Sequence, residues 1–383
     1  MAIKNNNAQE KAPRRAQKVH EPAFHIVKRS EIVWWKPWIF RVIAFLAALV
    51  FCAIITYFLT LAQGNPINPL EVYKAMLSGN FGSVARFWPL LKETALLLGV
   101  ALAITPAFKM RFWNIGAEGQ VLVGALASFA FMYIFGKMLP NTVLLICMFI
   151  VAAVAGGIWG LVPAVFKARW NTNETLFTLM MNYIAIHLVK HFVNIWSGSS
   201  STINMGFEWI ISKKGTMPYV FGQQYFLHVA IVFCLAILVY VYLKYSKQGY
   251  EISVVGESEN TARYIGINVK KVVIRTMIIS GIICGIVGFL LITIDTTVNF
   301  ETAGGRGFTA IMVSWLAKFN PLAMIFTSFL IAFFQNSGTQ ITISCGLPAD
   351  YTEIITGIII LFIIGCEFFV NYSIKFHKKG AEK

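Results

Sequence analysis

Charge is what this chain has least of. Only 13% of its 383 residues are Asp, Glu, Lys or Arg, where a soluble domain carries roughly 25%. Acid is scarcer than base, 17 residues against 32. A soluble fold of this length needs far more polar surface, so an ordinary cytosolic enzyme is excluded. Cysteine is sparse too: six residues, scattered, with no Cys-x-x-Cys pair and no metal-ligand spacing. That excludes a disulfide scaffold and a zinc site. There is no Gly-x-x-x-x-Gly-Lys-Ser/Thr run, so the chain has no phosphate loop of its own. His-Glu-x-x-His and Gly-x-Ser-x-Gly are missing as well, and with them two common hydrolytic chemistries. No carboxylate inside an apolar run pairs with a base at helical spacing, the pattern of many proton-coupled carriers.

What is present is apolar. Hydrophobic residues make up 57%, and the mean hydropathy is +0.68. With about 20 apolar residues per membrane helix, that suffices for on the order of ten spans. The pattern predicts an all-α polytopic membrane protein. Its spans are predicted at about 39–62, 89–108, 115–135, 142–166, 175–196, 225–243, 272–294, 302–317, 321–335 and 353–372. The first run is too long for a signal-peptide core and reads as a start anchor. Trp34, Trp35 and Trp38 stand where an interfacial aromatic belt would lie.

The charge of +15 would suggest nucleic acid in a soluble protein. Here the positive-inside rule explains it without such a partner. Threading ten spans from an inside N-terminus puts 23 basic residues inside and eight outside, with Arg41 within the first span. Both termini are then cytoplasmic, in a multi-pass protein of the inner cell membrane. The organisation expected is a basic tail over 1–37, a transmembrane domain over 38–374 and a second tail over 375–383.

Two glycine-rich segments align at an offset of 188 residues, Asn114–Gln120 and Thr302–Phe308. The first opens a helix predicted to run outward and the second one predicted to run inward, the mark of an inverted repeat. Glycine lets backbone leave helical geometry or lets helices approach closely. Polar groups beside it are costly at membrane depth unless they face protein or water. Broken helices beside a path and simple tight packing both fit these segments. Asn182, deep in the fifth span, is a second polar group needing a partner. Asn114, Gly116, Glu118, Gly119, Asn182, Gly304 and Gly307 are therefore the candidate path residues. His187, Lys190 and Asp295 read as interfacial.

The longest internal polar stretch is 244–271. Ser258 is a good N-cap, Glu259 suits a first turn, and Gly266 is a natural stop. A short cytoplasmic helix over Glu259–Ile265 follows, offering a partner something rigid to grip. Gly256, Ser258, Glu259, Arg263 and Gly266 are the candidate coupling residues.

Four runs in order resemble the permease subunits of ATP-binding cassette importers for simple sugars and nucleosides. They are FWNIGAEGQVLVGALAS (112–128), NETLFTLMMNYIA (173–185), GYEISVVGESENTARYIGI (249–267) and GGRGFTAIMVSWLAKFNPLAMIF (304–326). The first two are similar to the nucleoside branch rather than the ribose branch. The resemblance implies a ten-helix permease of the type II importer kind, with no catalysis and no cofactor of its own. It further implies two ATPase subunits that use ATP and magnesium, a second permease, identical or homologous, and an outer substrate-binding lipoprotein. Ser258–Ile265 corresponds to the family's coupling helix. The long basic N-terminal tail and the outer loop 197–223 depart from the pattern; the tail suits anionic lipid heads. The alternatives are a ribose-type permease of the same class, an ion-coupled secondary carrier, and a membrane-embedded enzyme, for which no convergent nucleophile or metal set is found.

Overall fold

In hydrocarbon every backbone N–H and C=O needs a partner within its own segment, so the apolar runs must be helical. The computed structural model describes residues 24–28, 36–62, 64, 67–198, 202–204, 214–348 and 351–376. Among them the helices are α1 (Lys36–Ala62), α2 (Pro69–Phe81), α3 (Val84–Lys109), α4 (Ala117–Phe135), α5 (Asn141–Trp170), α6 (Glu174–Ser197) and α7 (Phe226–Tyr245). They continue with α8 (Lys247–Glu257), α9 (Glu259–Tyr264), α10 (Val269–Asp295), α11 (Arg306–Leu316), α12 (Pro321–Asn336), α13 (Gly338–Cys345) and α14 (Tyr351–Asn371). Short strands β1 (Phe24–Lys28) and β4 (Tyr372–Phe376) pair antiparallel, as do β2 (Thr202–Asn204) and β3 (Thr297–Asn299).

By contact the described chain forms two units. One comprises the segments before Leu49 and after Leu361, the other Val50–Ile360. In the first, pairing of β1 with β4 sets the entering and leaving strands side by side. The second holds the helical core. Its centre is α10, buried along most of its length and packed on α3, α4 and α5. Small residues permit this. A Cβ on Gly156 would lie 2.3 Å from the Gly281 carbonyl oxygen, and one on Gly285 would lie 2.1 Å from that of Ala152. Without water to drive association, such backbone approach is how membrane helices gain packing.

Nine helical segments among the described residues are long and apolar enough to span a bilayer. The predicted span at 302–317 is not among them. It is α11, of 11 residues and about 16 Å, preceded by β3 and a glycine turn. Arg306 pairs with Glu93 and Ser314 bonds the carbonyl of Ala101, so α11 descends alongside α3 in the same direction. After the turn at Ala317–Asn320, α12 climbs back. Phe319 stacks on Phe108, Met324 meets Thr105, and Phe333 and Ser337 reach Asn80. The segment predicted as the eighth span is thus part strand, part turn and part short helix.

Other differences are smaller. Helix α2 lies in a stretch expected to be loop; Asn68 caps it through Leu70 N, with Pro69 at its first position. The loop 244–271 contains α8 as well as the expected α9, which ends at Tyr264 rather than Ile265. The predicted tail positions 1–23, 29–35 and 377–383 fall outside the described residues, as does most of 199–213.

Candidate functional site

The site is built around an interruption. After Lys109 the chain leaves helical geometry and re-enters it only at Ala117. The exposed backbone groups of this bridge must find partners, and α6 supplies them. Asn182 Nδ2 donates to the Ile115 carbonyl at 2.9 Å, and its Oδ1 accepts from Gly119 N at 2.8 Å. One turn earlier, Thr178 Oγ1 accepts from Ile115 N at 3.2 Å. Asn114 is fully buried; its amide reaches Ser280 Oγ at 3.2 Å and its oxygen accepts from Gly116 N at 3.0 Å. Asn182 therefore serves the backbone of the bridge rather than an open cavity. Thr178, its partner four residues back, was not singled out in the sequence; the i, i+4 spacing with Asn182 was the available signal.

The two glycine-rich segments meet. Glu118 Oε1 accepts from Gly305 N at 2.8 Å and Oε2 from Gly307 N at 2.7 Å. Its carboxylate thus sits at the N-terminus of α11 while belonging to the first turn of α4. Orphan N–H groups and the helix dipole favour an anion at each. Gly305 has φ +70° and Gly304 φ +60°, a left-handed turn that turns two amides toward one carboxylate. The fit is close: a Cβ on Gly307 would lie 2.5 Å from Glu118 N, and one on Gly119 would lie 2.9 Å from Asn182 Oδ1. Arg306 pairs with Glu93 at 2.7 Å, which in turn meets Lys92 at 3.0 Å. This ion pair joins α3 to α11 across 213 positions of sequence, beyond the reach of a helical-spacing search.

Helices α6 and α11 flank this junction, each packed on α4. At one end Lys190 of α6 lies 4.3 Å over the ring of Phe300, in the turn before α11. At the other, Trp113 offers its carbonyl to Thr178 of α6 and its ring to Trp315 of α11. The outward side of α6 is exposed at Leu176, Met180, Tyr183, His187, His191 and Asn194, one stripe of the helix. By contrast, α5 exposes Val143, Ile146, Ile150, Val154 and Ile158, a side suited to lipid. No group of three or more His, Cys, Asp or Glu capable of holding a metal occurs among the described residues.

In the segment between α7 and α10, Ser258 Oγ accepts from Thr261 N at 3.2 Å and caps α9. Glu259 and Arg263 pair at 3.1 Å on its surface. Gly266 follows with φ +85°. Gly256, ending α8, lies so close to Lys109 that a Cβ would stand 2.1 Å from its carbonyl oxygen. Of the coupling candidates, Gly256 thus seats α8 directly on the end of α3, where the bridge begins, and Ser258, Glu259, Arg263 and Gly266 follow in and around α9.

Residues 90–364 match the model of a family described as branched-chain amino acid transport system / permease component. The chain belongs to this family. It is similar to the guanosine ABC transporter permease protein NupP of Bacillus subtilis, 29% identical over 323 residues, covering 81% of this chain and 89% of that one. Similarity to the glucose ABC transporter permease protein TsgB13 of Haloferax volcanii is 28% over 331 residues, covering 82% and 86%. The nucleoside ABC transporter permease protein NupB of Lactococcus lactis is 26% identical over 340 residues, covering 84% and 90%. No solved structure matches. The chain is a multi-pass membrane permease subunit of an ABC transporter and a transport component rather than an enzyme.

Proposed function

We propose that this permease forms the path for nucleosides in an ATP-driven importer. One observation carries the reading: an exposed, mixed apolar and polar stripe on α6, open in the single chain, beside two broken helices locked at Glu118. His187, His191 and Asn194 stand in the last half of α6, toward the interface, and favour protein or water as neighbours. A second permease facing α6 would supply both. A neutral solute needs no counter-ion, and here Glu118 is already occupied by backbone amides. The names of NupP and NupB favour a nucleoside, that of TsgB13 a sugar. The two glycine-rich helix starts, antiparallel and in contact, support reading them as the copies of an inverted repeat.

The partners follow from the chemistry the chain lacks. With no phosphate loop, it depends on separate ATPase subunits that hydrolyse ATP with magnesium. Helix α9 is their docking point, and Tyr264, 92% exposed, with Ile265, 51%, presents an apolar knob there. An outer lipoprotein delivers the solute. The domain organisation we favour keeps 1–37 and 375–383 as cytoplasmic tails of an inner-membrane protein, with the basic N-terminal tail near anionic lipid heads.

The test is uptake of tritiated guanosine in cells carrying this permease with its ATPase, second permease and lipoprotein. Accumulation should require ATP and be competed by uridine but not by glucose. Uptake of glucose unaffected by nucleosides would return the chain to the sugar branch. Uptake abolished by an ionophore with ATP intact would make it a secondary carrier.

A further inference from the structure

Trp113 and Trp315 are 41% and 50% exposed, with ring centroids 5.4 Å apart at 39°. Behind them a cycle of rings closes. Phe108 meets Trp113 edge-on at 5.5 Å and stacks on Phe319 at 6.0 Å and 10°; Phe319 meets Trp315 edge-on at 6.2 Å. Phe108 is buried, so the cluster has a closed back and an open indole front. Each indole stands on one of the interrupted segments. Trp113 immediately precedes Asn114 on the bridge that α6 holds. Trp315 lies in the last turn of α11, whose start Glu118 holds.

Tryptophan also anchors helices at the membrane interface, and the nearby Arg111 and Lys318 suit that use. Two features point to a ligand instead. The indoles are braced by neighbours, so little freedom is left to lose on binding. They also lie where α6 and α11 come together through the bridge, rather than on an aliphatic side such as that of α5. We propose that Trp113 and Trp315 form a stacking station for the flat heterocycle of the transported nucleoside, on the cytoplasmic half of the path. Every base has a π-face, so such a platform accepts several bases and favours the larger purine. Because the two indoles ride on both broken helices, a stacked base bears on the bridge and on α11 at once. The proposal rests on the nucleoside reading above.

The experiment measures KM for tritiated guanosine, uridine and ribose in cells carrying the complete transporter. Trp113→Leu and Trp315→Leu should raise the guanosine KM about five- to hundredfold, the range that loss of one stack implies. Uridine should suffer less, so the guanosine preference falls. Trp→Phe at either position should stay within about threefold, since a π-face remains. If a Leu variant fails to reach the membrane, the Met variant at that position is read in the same way. Wild-type KM values and an unchanged guanosine-to-uridine ratio in membrane-inserted Leu or Met variants would overturn the station and leave interfacial anchors. A wild-type protein that carries ribose but no nucleoside would overturn the nucleoside reading and the station with it. Guanosine uptake by the wild type with indifferent tryptophan variants overturns the station alone.

Discussion

Asn182 shows how one side chain substitutes for a missing turn of helix. Its amide donates to one bridge carbonyl and accepts from the N–H of Gly119 in the first turn of α4. Leucine is nearly the same size but offers neither bond. Asn182→Leu therefore strands two backbone groups, at about 1–3 kcal/mol each. The expected outcome is a lower unfolding temperature of the detergent-solubilised complex, together with reduced uptake. Unchanged thermal stability would mean that the bridge is held by Thr178 and Asn114 alone. Gly307 gives a sharper case. Its place against Glu118 N leaves 2.5 Å for a Cβ, where carbon contacts settle at about 3.5–4.0 Å. Gly307→Ala must push α11 off the carboxylate by on the order of 1 Å. Uptake should fall at least tenfold while the protein still inserts, as scored by radiolabelled uptake and membrane immunoblot. Retained uptake would show that the Glu118 lock is not needed for transport.

Among the elements, α9 makes the most isolated prediction. Its ion pair is exposed and contributes little to stability. Reversing both charges, Glu259→Arg with Arg263→Glu, preserves a pair at the same spacing. A loss of coupling in that double variant then reports on the surface an ATPase meets, not on the helix. ATP hydrolysis should continue while guanosine uptake falls, and normal uptake would remove α9 from the docking role. This helix was readable in the sequence because its determinants are local: a serine cap, an acid in the first turn, a glycine stop. So were the long spans, since lipid leaves an apolar run few options. Helix α2 carried its own signals in Asn68 and Pro69, but a mixed 13-residue stretch has no strong period to draw attention. The failure at α11 has a different cause. Its apolar run matches a span in composition, and only the left-handed Gly304–Gly305 turn and the contact with Glu118 shorten it. The glycines that mark it were legible; their meeting with Glu118, 187 positions away, was not. Nor was the Glu93–Arg306 pair, for the same reason.

At the scale of the whole molecule, we propose ten passages of the bilayer. Strands β1 and β4, which flank the first and last spans, pair antiparallel, and the proposal puts both on one side of the bilayer. An even number of crossings is then required, and nine long spans alone would fail that requirement. The eighth passage through β3 and α11 restores it. Parity does not say which side that is; the distribution of basic residues predicts the cytoplasm. One labelling experiment tests the orientation. On a background without its six cysteines, a single cysteine replaces either Met138, 78% exposed past the end of α4, or Tyr264, 92% exposed on α9. Ten passages from a cytoplasmic N-terminus put these on opposite sides, Met138 outside. An impermeant maleimide added to intact cells should label Met138→Cys at once and Tyr264→Cys only after permeabilisation. The reverse pattern would keep the parity and invert the orientation, moving α9 away from any cytoplasmic ATPase. Labelling of both from outside would break the parity of the three spans between them, α5, α6 and α7.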